Sequence, residues 1–250
     1  MDGKMVSSSL VEGAGGGRAA YPFVSIIMPA LNEEKTVGML VSEASSLMSS
    51  HHIPFEVIVV DDCSSDGTYG EALRRGAIVL RNDRTGGKGC CLRRGLEKAR
   101  GDLIVTMDSD GEHLPKDIMR LLGHAFEGLD VVCGSRFLNG SLNFTSRIHF
   151  LGNQIFNIAI WILTGKRVTD SQTGFRVLKR KVIDTLHLES DGFEIETEIT
   201  VKSLQNGFSF KEVPINIKRR EYGISRVRML ADGRKILKTI LTSILAEVGH

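Results

Sequence analysis

The feature that most constrains the fold is a short apolar run that leads directly into a group of carboxylates. Residues 103–105 (Leu-Ile-Val) have the uniform apolar character of a strand buried on both faces of a parallel sheet. Asp108, Asp110 and Glu112 follow at alternate positions. Residues two apart in an extended backbone point to the same side, where three carboxylates repel one another. A divalent cation such as Mg²⁺ or Mn²⁺, which prefers oxygen ligands, would relieve that repulsion. The alternative is a polar loop whose aspartates cap turns.

Other apolar runs along the chain have the same character and are separated by predicted helices. They lie at residues 23–28, 55–60, 78–80 and 130–133. With 250 residues, of which 42% are hydrophobic, the chain is long enough for one sizeable α/β domain or two small ones. Open α/β sheets bind ligands at the carboxyl ends of their strands, so the polar residues that follow these runs are the candidate site residues.

Three of these strand ends carry residues suited to a nucleotide or a phosphate. Asp62 follows the second run, where an acidic residue commonly binds a ribose or a base, whereas Ser65 or Asp66 could simply cap the next helix. Lys88 lies in a Gly-Gly-Lys-Gly turn that begins a helix, which suits an anion although the turn is not a P-loop. Arg136 follows the last run and could hold a phosphate bidentately or pair with a carboxylate at the surface.

The charge is small overall but unevenly distributed. The net charge of +2 gives no bias towards nucleic acid. The segment 218–238 nevertheless contains eight basic residues against two acidic ones, and an apolar stripe at helical spacing continues beyond it. We therefore expect residues 229–250 to form a basic amphipathic helix, which either lies on an anionic membrane surface or packs on the domain. Residues 147–163 show a second apolar helical pattern, interrupted by asparagines, which predicts a packed helix or one that flanks a lipid groove.

The beginning of the chain and the cysteines bear on the cellular compartment. Residues 1–22 are rich in glycine and serine and lack the apolar core of a signal peptide, so we expect a flexible tail. No uninterrupted apolar run reaches membrane-spanning length. The four cysteines include no C-x-x-C pair, and reduced thiols in a cytosolic protein are the simplest interpretation.

Six motifs occur together in a fixed order along the chain. They are Pro29-x-x-Asn32-Glu33-Glu34, Asp61-Asp62-x-Ser64-x-Asp66-Gly67-Thr68, Gly87-Lys88-Gly89, Asp108-x-Asp110, Gly134-Ser135-Arg136 and Asp170-x-x-x-Gly174-Phe175-Arg176. Together they resemble the family 2 glycosyltransferases of the GT-A fold, and among these the synthases of dolichyl- or polyprenyl-phosphate mannose and glucose. The resemblance covers about residues 23–228. It implies a single Rossmann-like α/β domain with a mostly parallel central sheet flanked by helices.

The resemblance also implies which residues bind the donor, a nucleotide sugar. The nucleoside pocket would be lined by Pro29, Leu31, Glu33 and Asp62. The ribose and the diphosphate would be approached by Lys88, Asp108, Ser109, Asp110, Arg220 and Arg226. The resemblance places the metal ion, Mg²⁺ or Mn²⁺, on Asp110 and Glu112, and Asp108 completes the predicted set of metal ligands.

The acceptor phosphate would be held by Arg136 and Arg147, and Asp110, Arg136 and Arg220 would be the catalytic residues. The chain departs from the family pattern at three positions. Relatives often carry glutamine at the position of Glu112, lysine at that of Arg226 and, in some, serine at that of Leu151.

The reaction implied by the resemblance is the inverting, metal-dependent transfer of a hexose from GDP-mannose or UDP-glucose to dolichyl or polyprenyl phosphate. The enzyme would act peripherally at the cytoplasmic face of a membrane, and an integral membrane subunit as its anchor is left open. A lipid phosphate is already an anion and needs cations more than a base, which suits four arginines. A soluble or glycan hydroxyl acceptor would instead need Glu194 or Glu196 as a base. Two further classes of protein stay open, a nucleotidyltransferase and an inactive nucleotide-sugar sensor.

Overall fold

A seven-stranded sheet forms the centre of the computed structural model, which describes residues 21–138, 147–222 and 229–245. The strands are β1 (Val24–Ala30), β2 (Phe55–Asp61), β3 (Ile78–Arg81), β4 (Leu103–Thr106), β5 (Val131–Ser135), β6 (Arg176–Lys179) and β7 (Phe210–Pro214). The helices are α1 (Val37–Ser50), α2 (Thr68–Arg74), α3 (Lys88–Lys98), α4 (Ile118–Phe126), α5 (Arg147–Thr164), α6 (Arg180–Thr185), α7 (Glu194–Gln205) and α8 (Met229–Leu245).

The strand order is β3-β2-β1-β4-β6-β5-β7. Strands β1 to β4 run parallel, β6 runs antiparallel to both of its neighbours, and β5 and β7 are again parallel to each other. The predicted fold class, a single α/β domain with a mostly parallel sheet flanked by helices, is confirmed. The expectation rested on apolar runs short enough for strands, and each of them is a strand here.

Both faces of the sheet are buried, which explains why the strands read as continuous apolar runs. Along β1, Ile26 and Met28 point to a core shared with α1 and α4, whereas Ile27 points to the opposite core beneath α3 and α7. All three side chains are fully buried. A one-residue shift in the register of β1 would exchange the two cores, so burial fixes the register.

The topology identifies one edge of the sheet as the place for a ligand. Strand β1 pairs with β2 on one side and with β4 on the other, so the order of the strands reverses at β1. Crevices at such reversal points, outside the carboxyl ends of the strands, are the usual ligand sites of open α/β sheets. The loops that follow β1, β2 and β4 carry most of the predicted site residues.

The helix α8 packs on the domain. Ile236 and Ile240 are buried together with Ile160 of α5 and Val201 of α7 in a third, smaller core. Of the two interpretations of this helix, packing on the domain is thus observed for its inner face. No helix among the described residues combines the length and the apolar composition that crossing a bilayer requires.

Candidate active site

The loop after β4 is fastened to the end of β1, and this contact forms the floor of the crevice. The hydroxyl of Ser109 donates a hydrogen bond to the Pro29 carbonyl oxygen at 2.6 Å. The hydroxyl of Thr36, just before α1, donates to the Ser109 carbonyl oxygen at 2.6 Å. Ser109 is therefore buried, whereas Pro29 and Leu31 are half-buried at the rim of the crevice. Ser109 thus shapes the floor, and its predicted contact with a donor stays a prediction.

The carboxylates after β4 are grouped by a turn and not by a strand. Strand β4 ends at Thr106, and Gly111 has a φ of +82°, a conformation that favours glycine. The backbone amide of Glu112 donates a hydrogen bond to Oδ1 of Asp110 at 3.0 Å. The backbone after β4 is therefore not extended, and the conformation predicted from the alternation of carboxylates was wrong. The outcome that it predicted, neighbouring carboxylates at the strand end, is observed.

Arg220 reaches this turn from the distant end of the chain. The segment after β7 runs back along the turn, where the amide of Lys218 donates to the Glu112 carbonyl oxygen at 2.9 Å. This pairing brings the Arg220 guanidinium between two carboxylates. Its Nη2 contacts Oε1 of Glu33, and its Nη1 lies 3.6 Å from Oδ2 of Asp110. The Arg220 cation thus lies between two of the predicted site carboxylates, and its contact with a diphosphate stays a prediction.

Lys88 neutralises Asp108 from beneath the crevice. The Lys88 ammonium lies 2.5 Å from Oδ1 of Asp108 and 2.9 Å from Oε1 of Glu196, the latter on α7. Glu196 in turn contacts Nε of the fully buried Arg176 at 3.2 Å through Oε2. Asp108, Lys88, Glu196 and Arg176 thus form one row of charges, and burial disfavours the charged forms of Lys88 and Asp108. For Lys88 the two carboxylates outweigh burial and raise its pKa, and for Asp108 the ammonium outweighs burial and lowers its pKa.

This row of charges depends on Gly174. A methyl group added at Gly174 would lie 2.6 Å from Oδ2 of Asp108 and 2.7 Å from Nζ of Lys88, closer than atoms can pack. The carbonyl oxygen of Gly174 also accepts a hydrogen bond from the Thr106 hydroxyl at 2.8 Å. The glycine in the sixth motif therefore leaves room for the Asp108–Lys88 pair.

The donor groups of the turn fit a divalent cation that retains open positions. Among the described residues, no three His, Cys, Asp or Glu side chains are grouped so that together they could hold a metal ion, so the predicted set of Asp108, Asp110 and Glu112 is not assembled as three ligands here. Asp110 and Glu112 are half-buried, and burial together with the adjacent Asp110 charge raises the pKa of Glu112 to about 7. Two crowded carboxylates are what Mg²⁺ or Mn²⁺ binds when substrate phosphates supply further ligands. Asp108, paired with Lys88, is the least suited of the three predicted ligands.

Arg136 is held at the other side of the turn by a buried carboxylate. Its Nε and Nη2 donate to the two oxygens of Asp170 at 2.7 and 2.8 Å, a bidentate pair. Asp170 also accepts a hydrogen bond from Asn153 of α5 at 3.2 Å. Glu212 on β7 completes the support by accepting the amides of Thr169 and Asp170. Burial raises the pKa of Asp108 and of Glu112, and the Arg136 charge is among the influences that lower both.

The Gly-Gly-Lys-Gly turn binds a carboxylate of the protein itself. The amides of Gly86 and Gly87 donate to Oδ1 and Oδ2 of Asp62 at 2.8 and 2.9 Å, and Asn82 donates to Oδ1 at 2.7 Å. The amides of Gly89 and Cys90, at the start of α3, donate to the carbonyl oxygen of Asp191. The anion that the turn was expected to attract is therefore Asp62 in this structure. Asp62 orders the turn that carries Lys88.

Most of the predicted site residues come together at this edge, and two lie beyond what can be tested. Arg226 lies outside the described residues, and Arg147 begins α5 but its side chain is outside them as well. Sequence reasoning missed the partners that hold the site residues in place. These partners are Glu196, Arg176, Asp170, Asn153 and Glu212, of which Glu196 had been considered only as a base for a hydroxyl acceptor. Asp170 and Arg176 stood in a motif but had been given no role.

Comparison with known proteins identifies the class of protein that this fold and site define. Residues 25–186 match the family model for glycosyl transferase family 2, so the chain belongs to that family of glycosyltransferases. The chain is 30% identical over 216 residues to polyprenol monophosphomannose synthase of Mycolicibacterium smegmatis, a match that covers 81% of this chain and 80% of the relative. It is 27% identical to UDP-N-acetylglucosamine–dolichyl-phosphate N-acetylglucosaminyltransferase of Methanococcus voltae, over 92% of this chain and 99% of the relative.

A solved structure confirms the GT-A-like fold. Glucosyl-3-phosphoglycerate synthase from Mycobacterium tuberculosis, in complex with Mn²⁺, uridine diphosphate and phosphoglyceric acid, superimposes with a TM-score of 0.72. The match covers 92% of this chain and 84% of that one, at 20% sequence identity. The suspected membership of family 2 and the expectation of a hexosyltransferase are thus confirmed, and relatives that transfer sugars to polyprenyl or dolichyl phosphate are among its homologues.

Proposed function

We propose that this glycosyltransferase moves a hexose from a nucleotide sugar, GDP-mannose or UDP-glucose, to a polyprenyl phosphate. The observation that carries the proposal is the position of two arginines around one turn of carboxylates. Arg220 stands between Glu33 and Asp110, and Arg136, held by Asp170, carries a second positive charge that acts on Asp108 and Glu112. A reaction that brings a phosphate acceptor to a diphosphate donor needs a cation for each of them. The mannose and N-acetylglucosamine transferases among the relatives support this acceptor.

On the donor side, Arg220 would bind the diphosphate and exchange its carboxylate partners for phosphate oxygens. The nucleoside would lie over Pro29 and Leu31 at the rim, with the buried Glu33 and Asp62 supporting the pocket. Asp110 and Glu112, with Asp108 behind them, would hold Mg²⁺ or Mn²⁺, which supplies positive charge to the leaving diphosphate. The related fold that binds Mn²⁺ together with uridine diphosphate supports this use of the turn.

On the acceptor side, Arg136 would orient the lipid phosphate while Asp170 keeps the guanidinium in place. A phosphate oxygen then attacks the anomeric carbon as the bond from that carbon to the diphosphate breaks, so the configuration inverts. No base is needed, because the acceptor is an anion at neutral pH. Glu196 is poorly suited to that role, since it is buried and contacts both Lys88 and Arg176.

The acceptor also bears on where the enzyme acts. A polyprenyl chain keeps its phosphate at the surface of a membrane, and a nucleotide sugar is a cytoplasmic metabolite class. We therefore place the reaction at the cytoplasmic face, with the enzyme attached peripherally. A phosphorylated soluble acceptor is the second candidate, because the structural neighbour was solved with phosphoglyceric acid.

The test is a screen of GDP-mannose and UDP-glucose that measures release of the nucleoside diphosphate. Each donor is assayed with Mg²⁺, with Mn²⁺ or with EDTA, and with a short polyprenyl phosphate, phosphoglyceric acid or no acceptor. We expect release that requires both a metal and the polyprenyl phosphate. Release with phosphoglyceric acid alone would transfer the role of Arg136 to a soluble phosphate, and release of pyrophosphate would indicate a nucleotidyltransferase.

A further inference from the structure

The helix α5 exposes a row of large apolar side chains of the kind that a helix packed on a water-soluble domain buries. Leu151, Ile155, Ile158 and Ile162 are 62%, 52%, 52% and 71% exposed. Their spacing of four, three and four residues places them on one face of the helix, and we call this row the outer stripe. Trp161 beside it is 43% exposed.

The inner face of α5 carries two asparagines beside the buried Ile160, and both asparagines have a structural reason. Asn153 and Asn157 are buried, and both donate hydrogen bonds to the loop before β6. Asn157 binds the carbonyl oxygen of Thr169 at 2.8 Å, and Asn153 binds the carboxylate of Asp170 at 3.2 Å. These contacts explain the polar residues inside, but packing within the domain gives no reason for a row of exposed leucine and isoleucine outside.

The helix α8 also exposes apolar side chains, and exposed basic side chains lie close to both helices in the sequence. Leu237 and Leu241 of α8 are 39% and 55% exposed, and α8 packs against α5. The exposed basic side chains nearest in sequence are Lys166, Arg167, Arg234, Lys235 and Lys238. The Arg167 guanidinium lies 4.5 Å from the centre of the Trp161 ring. Contiguous apolar patches of this kind mark interaction sites, and their surroundings indicate the partner.

We propose that the outer stripe and the exposed leucines of α8 form a docking surface for an anionic lipid bilayer. Apolar side chains, a tryptophan and a border of lysine and arginine are the combination that partitions into the boundary between headgroups and acyl chains. The surface lies directly behind the acceptor site, because α5 contacts Asp170, and Asp170 holds Arg136. The identity of the membrane as partner rests on the proposed lipid acceptor, whereas the surface itself is inferred from exposure and charge alone.

The test measures co-flotation of the full chain with vesicles of phosphatidylcholine and phosphatidylglycerol, without any acceptor. We expect wild-type protein to float at low salt and the double variant Ile155→Glu/Ile162→Glu to lose at least tenfold in partitioning. The control is Leu73→Glu on α2, since Leu73 is 53% exposed but lies beside the opposite edge of the sheet. It should float like the wild type. Ile155→Gln/Ile162→Gln serves as a second variant that adds no charge.

Two results would overturn the docking surface. One is equal flotation of wild-type and both double variants, and the other is a lipid-free dimer, detected by sedimentation, that the double variants dissociate. Turnover separates this inference from the proposed function. With a short, water-dispersed polyprenyl phosphate the double variants should keep wild-type nucleoside diphosphate release, while release with a long-chain acceptor in vesicles should fall. Flotation without turnover on any polyprenyl phosphate would refute the proposed acceptor and leave the docking surface intact.

Discussion

Replacing Lys88 by methionine tests whether the buried row of charges supports the active site. The side chain of Lys88 is 12% exposed, that of Glu196 is 1% exposed, and the ammonium contacts two carboxylates. Methionine matches the length of lysine but leaves Asp108 and Glu196 without that charge. Removing one partner from a buried ion pair costs about 3–5 kcal/mol, because the remaining charge stays desolvated. We expect a loss of this size in the free energy of unfolding at pH 7, measured with urea.

A double-mutant cycle assigns the loss to the pair. Lys88→Met, Asp108→Asn and the double variant should give a coupling energy of about 0.5–3 kcal/mol, the range for residues in one charge network. The matched control is Arg74→Met with Glu71→Gln, an ion pair on α2 whose arginine is 68% exposed. Exposed pairs contribute about 0–1 kcal/mol. The reasoning is refuted if Lys88→Met costs under about 1 kcal/mol and its coupling equals that of the control.

Three further predictions follow from the structure. Arg220→Ala should lower the rate of nucleoside diphosphate release by about 100-fold or more. Arg220→Lys should lower the rate by less, because lysine keeps the charge but loses the bidentate contact. Equal rates for wild type and both variants would show that Arg220 has no role in the reaction. Gly174→Ala should destabilise the fold by about 1–3 kcal/mol, because the added methyl would clash with Asp108 and Lys88. The control is Gly152→Ala on α5, where the added methyl has open space around it and should leave the melting temperature unchanged or raise it. Asp130 gives a pH dependence: burial raises its pKa, but Lys181, Ser209 and Lys179 outweigh burial and lower it to about 2. The ionised Asp130 therefore stabilises the fold by about 2 kcal/mol above pH ~4, and this contribution is lost as the pH falls through ~2. In urea unfolding, Asp130→Asn should be less stable than the wild type at pH 7, and the two free energies of unfolding should converge near pH 2.

The sheet was predictable from the sequence because its strands are buried on both sides. A strand such as β1 then has no polar alternation, and a short apolar run bounded by turn residues is sufficient to find it. The same argument failed after β4, where the positive φ of Gly111 ends the extended backbone. Residues two apart point to the same side of the backbone only while the strand remains extended.

The convergence of the site residues could not be predicted from spacing. Arg220 and Glu33 are far apart in the sequence, and their contact depends on the segment after β7 returning along the turn at Glu112. Lys88 and Glu196 each had a sufficient local explanation, one as a lysine at a helix start and the other as an acidic residue in a first helical turn. Only the packing of α3 against α7 brings the two charges together. Resemblance to a family supplied the site residues, and packing supplied their partners.

The charge balance of the site explains why a metal is expected there in addition to the arginines. Six carboxylates face four cationic side chains in the network described above. The carboxylates are Glu33, Asp108, Asp110, Glu112, Asp170 and Glu196, and the cations are Lys88, Arg136, Arg176 and Arg220. Burial raises the pKa of Glu112, and the neighbouring negative charge of Asp110 raises it further. A nucleoside diphosphate and a phosphate acceptor would both add to that excess, and every cation of the network already contacts a carboxylate. A divalent ion on Asp110 and Glu112 would neutralise this excess of two negative charges before either substrate arrives, so the donor's affinity should depend on the metal more strongly than on any single arginine.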